Sequence, residues 1–208
     1  MLKMKFVAGH ASLDFVNTVG ARVSRAGSAH DYADKVLRDK LADYQALITW
    51  SELAGILSIK EIRSLRRAAR LHPQHAARAL ARALRLREAL YRIFKSLIVG
   101  WRPRIADVNV LRKELRAARA RQRLLLSGAG FVWRWDDSEN ALDSPLWRVS
   151  QSAADLLTSA NLRSLRQCGG DECGWMFLDT SRNRSRRWCD MKECGNRAKV
   201  RRFREGHK

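Results

Sequence analysis

The chain has 208 residues, 46% of them hydrophobic and 30% charged, which describes an ordinary folded protein rather than a disordered tail. Its 41 Lys plus Arg against 21 Asp plus Glu give a formal net charge of +20. That balance excludes a solvated acidic surface and points to polyanionic partners, nucleic acid first and an anionic membrane surface second. No apolar run approaches the ~20 residues of a membrane span. The apolar stretch around Phe6 and Val7 dies out before Asp14, which reads against a secretory signal and for a cytoplasmic address.

Residues 1–162 read mostly as helix. Leu13, Val16 and Val19 fall at helical spacing after Ser12, a fitting N-cap. Within that segment His10, Asp14 and Asn17 are polar residues on an apolar helix; they are candidates either for buried hydrogen bonds and capping or for a small-molecule pocket. Leu41, Tyr44, Leu47 and Ile48 predict an amphipathic helix running to Leu53 and stopping at Gly55. Ser58 and Glu61 match a capping box for a helix to about Leu71. Pro73 then suits the first turn of a long helix carrying Leu80, Leu84, Leu90, Phe94 and Leu97 to Gly100. His72 and His75 lie close enough to share a metal, but no carboxylate or cysteine accompanies them. A further helix is expected over 107–122.

The period then switches from helical to alternating. Residues 123–126 and 131–135 read as two strands around Ser127-Gly128-Ala129-Gly130, with Phe131, Trp133 and Trp135 on one face. Trp133, Trp135 and Trp147 are expected in the core. Asp143-Ser144-Pro145 opens a helix through Leu156, and a short helix is expected at 162–165. Arg63, Arg66, Arg67 and Arg70, then Arg78, Arg82 and Arg85, form a second basic face that is either a solvated surface or an extension of a phosphate track.

All four cysteines lie beyond residue 167, as Cys168-x4-Cys173, fifteen residues, then Cys189-x4-Cys194. Two close pairs joined by a short segment are what a tetrahedral thiolate site needs, each pair offering two sulfurs from one turn. One structural zinc ion (Zn2+) is expected; the spacing is also compatible with an iron–sulfur cluster, and two disulfides are disfavoured in a reducing cytoplasm. Four thiolates close the coordination shell, which argues against hydrolysis at the metal. Trp175, Met176, Phe177, Leu178 and Trp188 would supply the local core. Residues 175–178 read as a strand paired with 186–189, followed by a helix over 196–204.

Residues 180–204 hold ten basic side chains against Asp190 and Glu193 alone. Arg182, Arg184, Arg186 and Arg187 would anchor on phosphates. Asn196, Arg197 and Arg201 are candidates for base edges, and Lys199, Arg202 and Arg204 extend the surface, because arginine pairs with guanine and asparagine with adenine in the major groove. Asn196 has a competing structural role, bonding the backbone of the second cysteine pair. No phosphate-binding loop, nucleophile elbow or His-Glu-x2-His helix occurs in the sequence. Nothing points to an enzyme.

Cys194-Gly195-Asn196-Arg197, preceded by residues 177–189 with their Leu178-Asp179-Thr180-Ser181 and Arg186-Arg187-Trp188-Cys189, resembles the CGNR zinc-finger family of bacterial proteins. In that family the finger follows a domain called ABATE, whose opening resembles Leu13-Asp14-Phe15-Val16-Asn17-Thr18 here. Ser152-Ala153-Ala154-Asp155-Leu156-Leu157 resembles the lead-in to the finger, while Gly9-His10-Ala11-Ser12 is less apolar than the pattern. The resemblance implies stress-induced transcriptional regulators that bind DNA. The expected architecture is thus mainly α with a small β-hairpin, a helical domain over 1–162 followed by a treble-clef-like four-cysteine zinc finger over 163–208. Double-stranded DNA is the expected partner, with no membrane, and the helical part would sense a small-molecule effector or form a homodimer. The rival functions are an RNA-binding or protein-interaction adaptor and a small-molecule-binding module with a purely structural finger.

Overall fold

The structure is a computed structural model that describes residues 4–23, 35–135, 142–171 and 173–205. Six α-helices form the body: α1 (Ala11–Val16), α2 (Tyr44–Leu53), α3 (Ile59–Leu71), α4 (Pro73–Ile98), α5 (Ile105–Arg119) and α6 (Ser144–Thr158). Two antiparallel hairpins interrupt them, β1 (Val19–Val23) with β2 (Lys35–Asp39), and β3 (Gln122–Ser127) with β4 (Gly130–Trp135). A 3-10 turn (Ala160–Ser164) leads into β5 (Leu165–Gln167), which pairs with β6 (Met176–Leu178); a π-helical turn (Met191–Gly195) then runs into α7 (Asn196–Glu205). Among the described residues no helix is long and apolar enough to cross a membrane.

Local chemistry sets most of these helices. The Ser58 hydroxyl accepts from the Glu61 amide while the Glu61 carboxylate accepts from the Ser58 amide, a complete capping box that opens α3. Pro73 sits in the first turn of α4, where its missing N–H costs nothing. Asp43 caps α2 by accepting from Ala46 N. Ala76, Ala79, Ala83, Leu86, Leu90 and Phe94 recur at three- and four-residue spacing and bury one face of α4. Its small residues let α3, α5 and α6 approach closely around Trp50, Phe15 and Tyr91; the Phe15 and Trp50 rings lie 5.0 Å apart.

Four expectations are corrected by the tertiary packing. First, α1 starts at Ala11 with His10 as its flanking residue, so Ser12 is not the cap, and Val19 begins β1 instead of closing the helix. Second, the antiparallel β1–β2 pair falls within the part read as mostly helix, in a stretch given no element of its own. It is tied to α4 by two reciprocal ion pairs: Arg22 forks onto Glu88 at 2.6 and 3.1 Å, and Arg87 forks onto Asp39 at 2.7 Å through both nitrogens. Both guanidiniums are buried while their carboxylate partners stay partly exposed, so each arginine depends on its fork for compensation.

Third, β3–β4 forms with the expected alternation, but Trp133 and Phe131 are 66% and 69% exposed and are not core. Of the three tryptophans, Trp147 is buried, with Trp135 stacked on it at 6.3 Å. Alternation placed the aromatics on one face correctly; α6 covers that face at Trp135, while Phe131 and Trp133 stay exposed. Fourth, β6 pairs with Leu165–Gln167 and not with 186–189. The 186–189 segment is held by single contacts instead, Arg187 O accepting from Gly169 N at 3.0 Å.

The apolar core runs without a break from Leu13, Phe15 and Phe94 to Trp175, Met176, Phe177 and all four cysteines. The local core expected for the finger is therefore part of the same interior as the helices. Leu178 N donates to Ala8 O, Trp175 Nε1 to Val19 O, and Gln167 to the Tyr91 hydroxyl.

Candidate metal centre and basic surface

Cys168 follows β5, Cys173 precedes β6, Cys189 follows the irregular segment, and Cys194 lies in the π-helical turn that starts α7. Their four Sγ atoms lie within 4.8 Å of one another, and all four residues are buried. Cys173, Cys189 and Cys194 are mutually 3.6 Å apart. A tetrahedral ion with metal–sulfur distances near 2.3 Å places its sulfurs about 3.8 Å apart, so the spacing suits one ion. It is far too long for a disulfide, whose sulfurs sit about 2.0 Å apart, and all four cysteines are free.

The surroundings are built for thiolates. Cys189 N donates to Cys168 Sγ at 3.3 Å, Gly170 N also serves Cys168, and Trp175 N serves Cys173. Taken as thiols alone, Cys168, Cys173 and Cys189 push one another's ionisation in opposite directions. The Cys173 and Cys189 thiols donate to Cys168 and pull it down to about 2, and the same crowding pushes Cys173 up to about 12 and Cys189 upward. A cation that takes four sulfur donors ends that competition.

The Cys194-Gly195-Asn196-Arg197 run now has a physical reading at every position. Cys194 is a ligand candidate. A Cβ on Gly195 would run into Met191 Sδ and sit 3.2 Å from Trp188, so glycine lets the turn close. Asn196 Nδ2 donates to Lys192 O at 3.1 Å, clasping the π-helical turn. Arg197 donates to Cys194 Sγ at 3.1 Å and offsets thiolate charge.

Gly174 is the other demanding glycine. Its φ is +67°, and a Cβ there would lie 2.8 Å from Arg22 Cβ, because the first cysteine turn packs directly on β1. Gly55 has nearly the same φ, +66°, but open space around it. Gly174→Ala is therefore expected to destabilise the protein clearly more than Gly55→Ala, by about 1–3 kcal/mol beyond it as strain and steric displacement add. Paired urea denaturation curves of the two variants check this; equal midpoints would show that the Arg22 contact yields freely.

The CGNR zinc finger model matches residues 164–207, and the ABATE model, described as "Putative stress-induced transcription regulator", matches residues 9–160. The chain belongs to the ABATE family. No curated protein matches it.

The ABATE signature at 13–18 is a docking device in this structure. Asp14 Oδ1 accepts from Val7 N and Ala8 N, both at 3.1 Å, and so fixes the N-terminal segment. Asn17 clasps Met176 of the finger from both sides, donating to its carbonyl at 2.8 Å and accepting from its amide at 3.0 Å. His10 faces the Ser12 and Ser152 hydroxyls at 3.0 and 3.3 Å. All three side chains have protein partners: Asp14 in the N-terminal segment, Asn17 in the finger, and His10, half-buried, on α1 and α6.

Burial pushes the Asp14 carboxyl up to about 6, against the pull of the Ala8 and Val7 amides. A carboxyl raised in the folded state stabilises fully below its unfolded pKa near 3.8, and that contribution is lost as pH rises to about 6. Asp14→Asn keeps the single accepting oxygen and removes the buried charge. It is expected to stabilise the protein at pH 7 by up to about 3 kcal/mol and to make no difference near pH 3.5. Unfolding midpoints of both proteins across pH check it; a variant less stable at pH 7 would show that the charge itself is used.

The sequence-derived basic residues divide sharply. Arg182, Arg184 and Arg187 are exposed, as are Lys199, Arg202 and Arg204. Arg186 departs from expectation: it donates to Trp188 O and Val7 O at 3.0 Å and also to Cys189 O, with its guanidinium 4.2 Å from the Phe177 ring centre. It is a structural strut rather than a phosphate anchor. Arg201 contacts Asp171 and, at 3.7 Å, Glu205. On the second basic face Arg66 pairs with Glu52, and Arg82 with Glu114 and Asp143, while Arg63, Arg67, Arg70, Arg78 and Arg85 stay exposed.

Sequence reasoning passed over Asp179. This buried carboxylate accepts from Ser181 N, Ser181 Oγ and Arg186 N, and the Ser181 bonds hold it below the ordinary carboxylate range. It shapes the 181–186 loop so that Arg182 and Arg184 face outward. The Asp-x-Ser pattern was a usable turn signal.

Proposed function

We propose that this ABATE-family protein is a DNA-binding transcriptional regulator rather than an enzyme, with one structural zinc ion held by Cys168, Cys173, Cys189 and Cys194. Zinc takes four thiolates without redox change and would leave no coordination position for chemistry. The observation that carries the reading is α7: it starts beside Cys194, buries Ala198 alone, and turns its arginines and lysine outward from a rigid metal-anchored base. A helix so fixed is suited to meeting a phosphate-lined groove, and arginine suits bidentate contacts to phosphate and guanine. The helical part, on which the finger is docked, is where a small-molecule effector or a second copy would act.

Random duplexes offered to the zinc-loaded protein near physiological salt are expected to yield an enriched motif. Affinity should fall with salt at a log–log slope of about −5 to −9, the signature of six to ten phosphate contacts. A slope near zero would sink the reading. Tighter binding of RNA at the same slope would transfer it to the RNA class.

A further inference from the structure

A groove of about 800 Å³ lies between α7, the N-terminal segment and the base of the β1–β2 hairpin. Arg197, Arg201 and Arg204 line it at four- and three-residue spacing, so one face of α7 looks into it. Lys192 joins them from the π-helical turn. Lys5 and Lys40 come from the helical part, remote in sequence from the finger. Among the described residues six cations therefore converge on one concave surface, with Glu193 as the single carboxylate in its lining.

Two of these cations already have acidic partners. Lys5 pairs with Asp190 at 2.9 Å and Glu193 at 2.6 Å, and Arg201 contacts Asp171 and Glu205. Lys40 Nζ lies 4.9 Å from the centre of the buried Trp175 ring, which holds the ammonium at the groove. Arg197 to Arg204 spans about 10 Å of helix at 1.5 Å per residue, more than one phosphate neutralises but within reach of successive phosphates of a strand.

We propose that this groove is the track for the sugar–phosphate backbone of duplex DNA, with Lys5 and Lys40 of the helical part facing Arg197, Arg201 and Arg204 of the finger. The proposal rests on the DNA-binding reading above and adds a contact surface that neither part has alone. It moves the main phosphate contacts away from the exposed Arg182, Arg184 and Arg187 loop. It also gives the docking of finger on body a purpose, since the two walls face each other only when docked.

Lysine acetylation of the full-length zinc-loaded protein, with and without a 20-base-pair duplex at about 50 mM salt, tests the track. Bound duplex should protect Lys40 and Lys192 several-fold and leave Lys60, Lys113 and Lys199 as reactive as before; Lys199 lies on the opposite side of α7. The Lys40→Ala/Arg204→Ala double variant should flatten the salt slope by about 2, at about 0.9 per phosphate contact, whereas Arg182→Ala/Arg184→Ala should not change it. Duplex that binds but protects Lys199 and spares Lys40, or a slope that responds to the loop pair instead, would overturn the groove and leave DNA binding intact. Absence of duplex binding by the wild type would overturn the DNA reading and the track together. The same footprint obtained more tightly with RNA would overturn the choice of duplex DNA.

Discussion

Cys194→Ser is expected to reduce bound metal to background and to loosen the protein well beyond the finger. Structural zinc contributes about 10–16 kcal/mol in isolated fingers, comparable to or larger than the whole stability of a typical domain. Here the loss does not stop at residue 165, because the four cysteines belong to the same core as Phe15 and Phe94. Undocking β6 also releases its bond to Ala8 O and the Asn17 clasp on Met176. Metal analysis combined with amide hydrogen exchange reads both effects. Protection should fall across 165–178 and equally across 4–19. A variant that keeps stoichiometric metal would show that the four-sulfur site is wrong, whereas loss confined to the finger would show that the shared core is not cooperative.

Asn17→Ala carries the second largest effect. It strips the Met176 amide and carbonyl of partners at 3.0 and 2.8 Å while leaving both buried. Each unsatisfied group costs about 1–3 kcal/mol, so a loss of about 2–5 kcal/mol is expected. Asn17→Asp should be no better, since a carboxylate cannot donate to the Met176 carbonyl. Metal content should stay at the wild-type value, which separates this variant from Cys194→Ser. Urea denaturation measures the loss, and a change under about 0.5 kcal/mol would mean that water replaces the clasp.

The two variants mark where sequence reasoning reached and where it stopped. Ser58 with Glu61, Pro73, and the paired cysteine spacings were legible because each signal and the structure it makes lie within a few neighbouring residues. Asn17 was recognisable as a misfit on an apolar helix, yet its partner is 159 residues away. The β1–β2 hairpin was missed for the same reason: Arg22 meets Glu88 across 66 residues and Arg87 meets Asp39 across 48. Alternation in β4 revealed which aromatics share a face, but burial depends on where another element arrives to cover it, and α6 reaches Trp135 while Phe131 and Trp133 stay exposed.

The basic surface shows the same division. Its arginine density was plain in the sequence, but Arg186 and Arg204 look alike there and serve opposite ends, one folded inward onto backbone carbonyls and the other lining a groove. Helix signals, cysteine pairs and net charge are local or additive properties, and the order of residues suffices to read them. Which strand pairs with which, which cation is consumed by a carbonyl, and which lysines face α7 depend on contacts between distant segments. Those contacts exist once the shared apolar core has closed and brought the segments into hydrogen-bonding range.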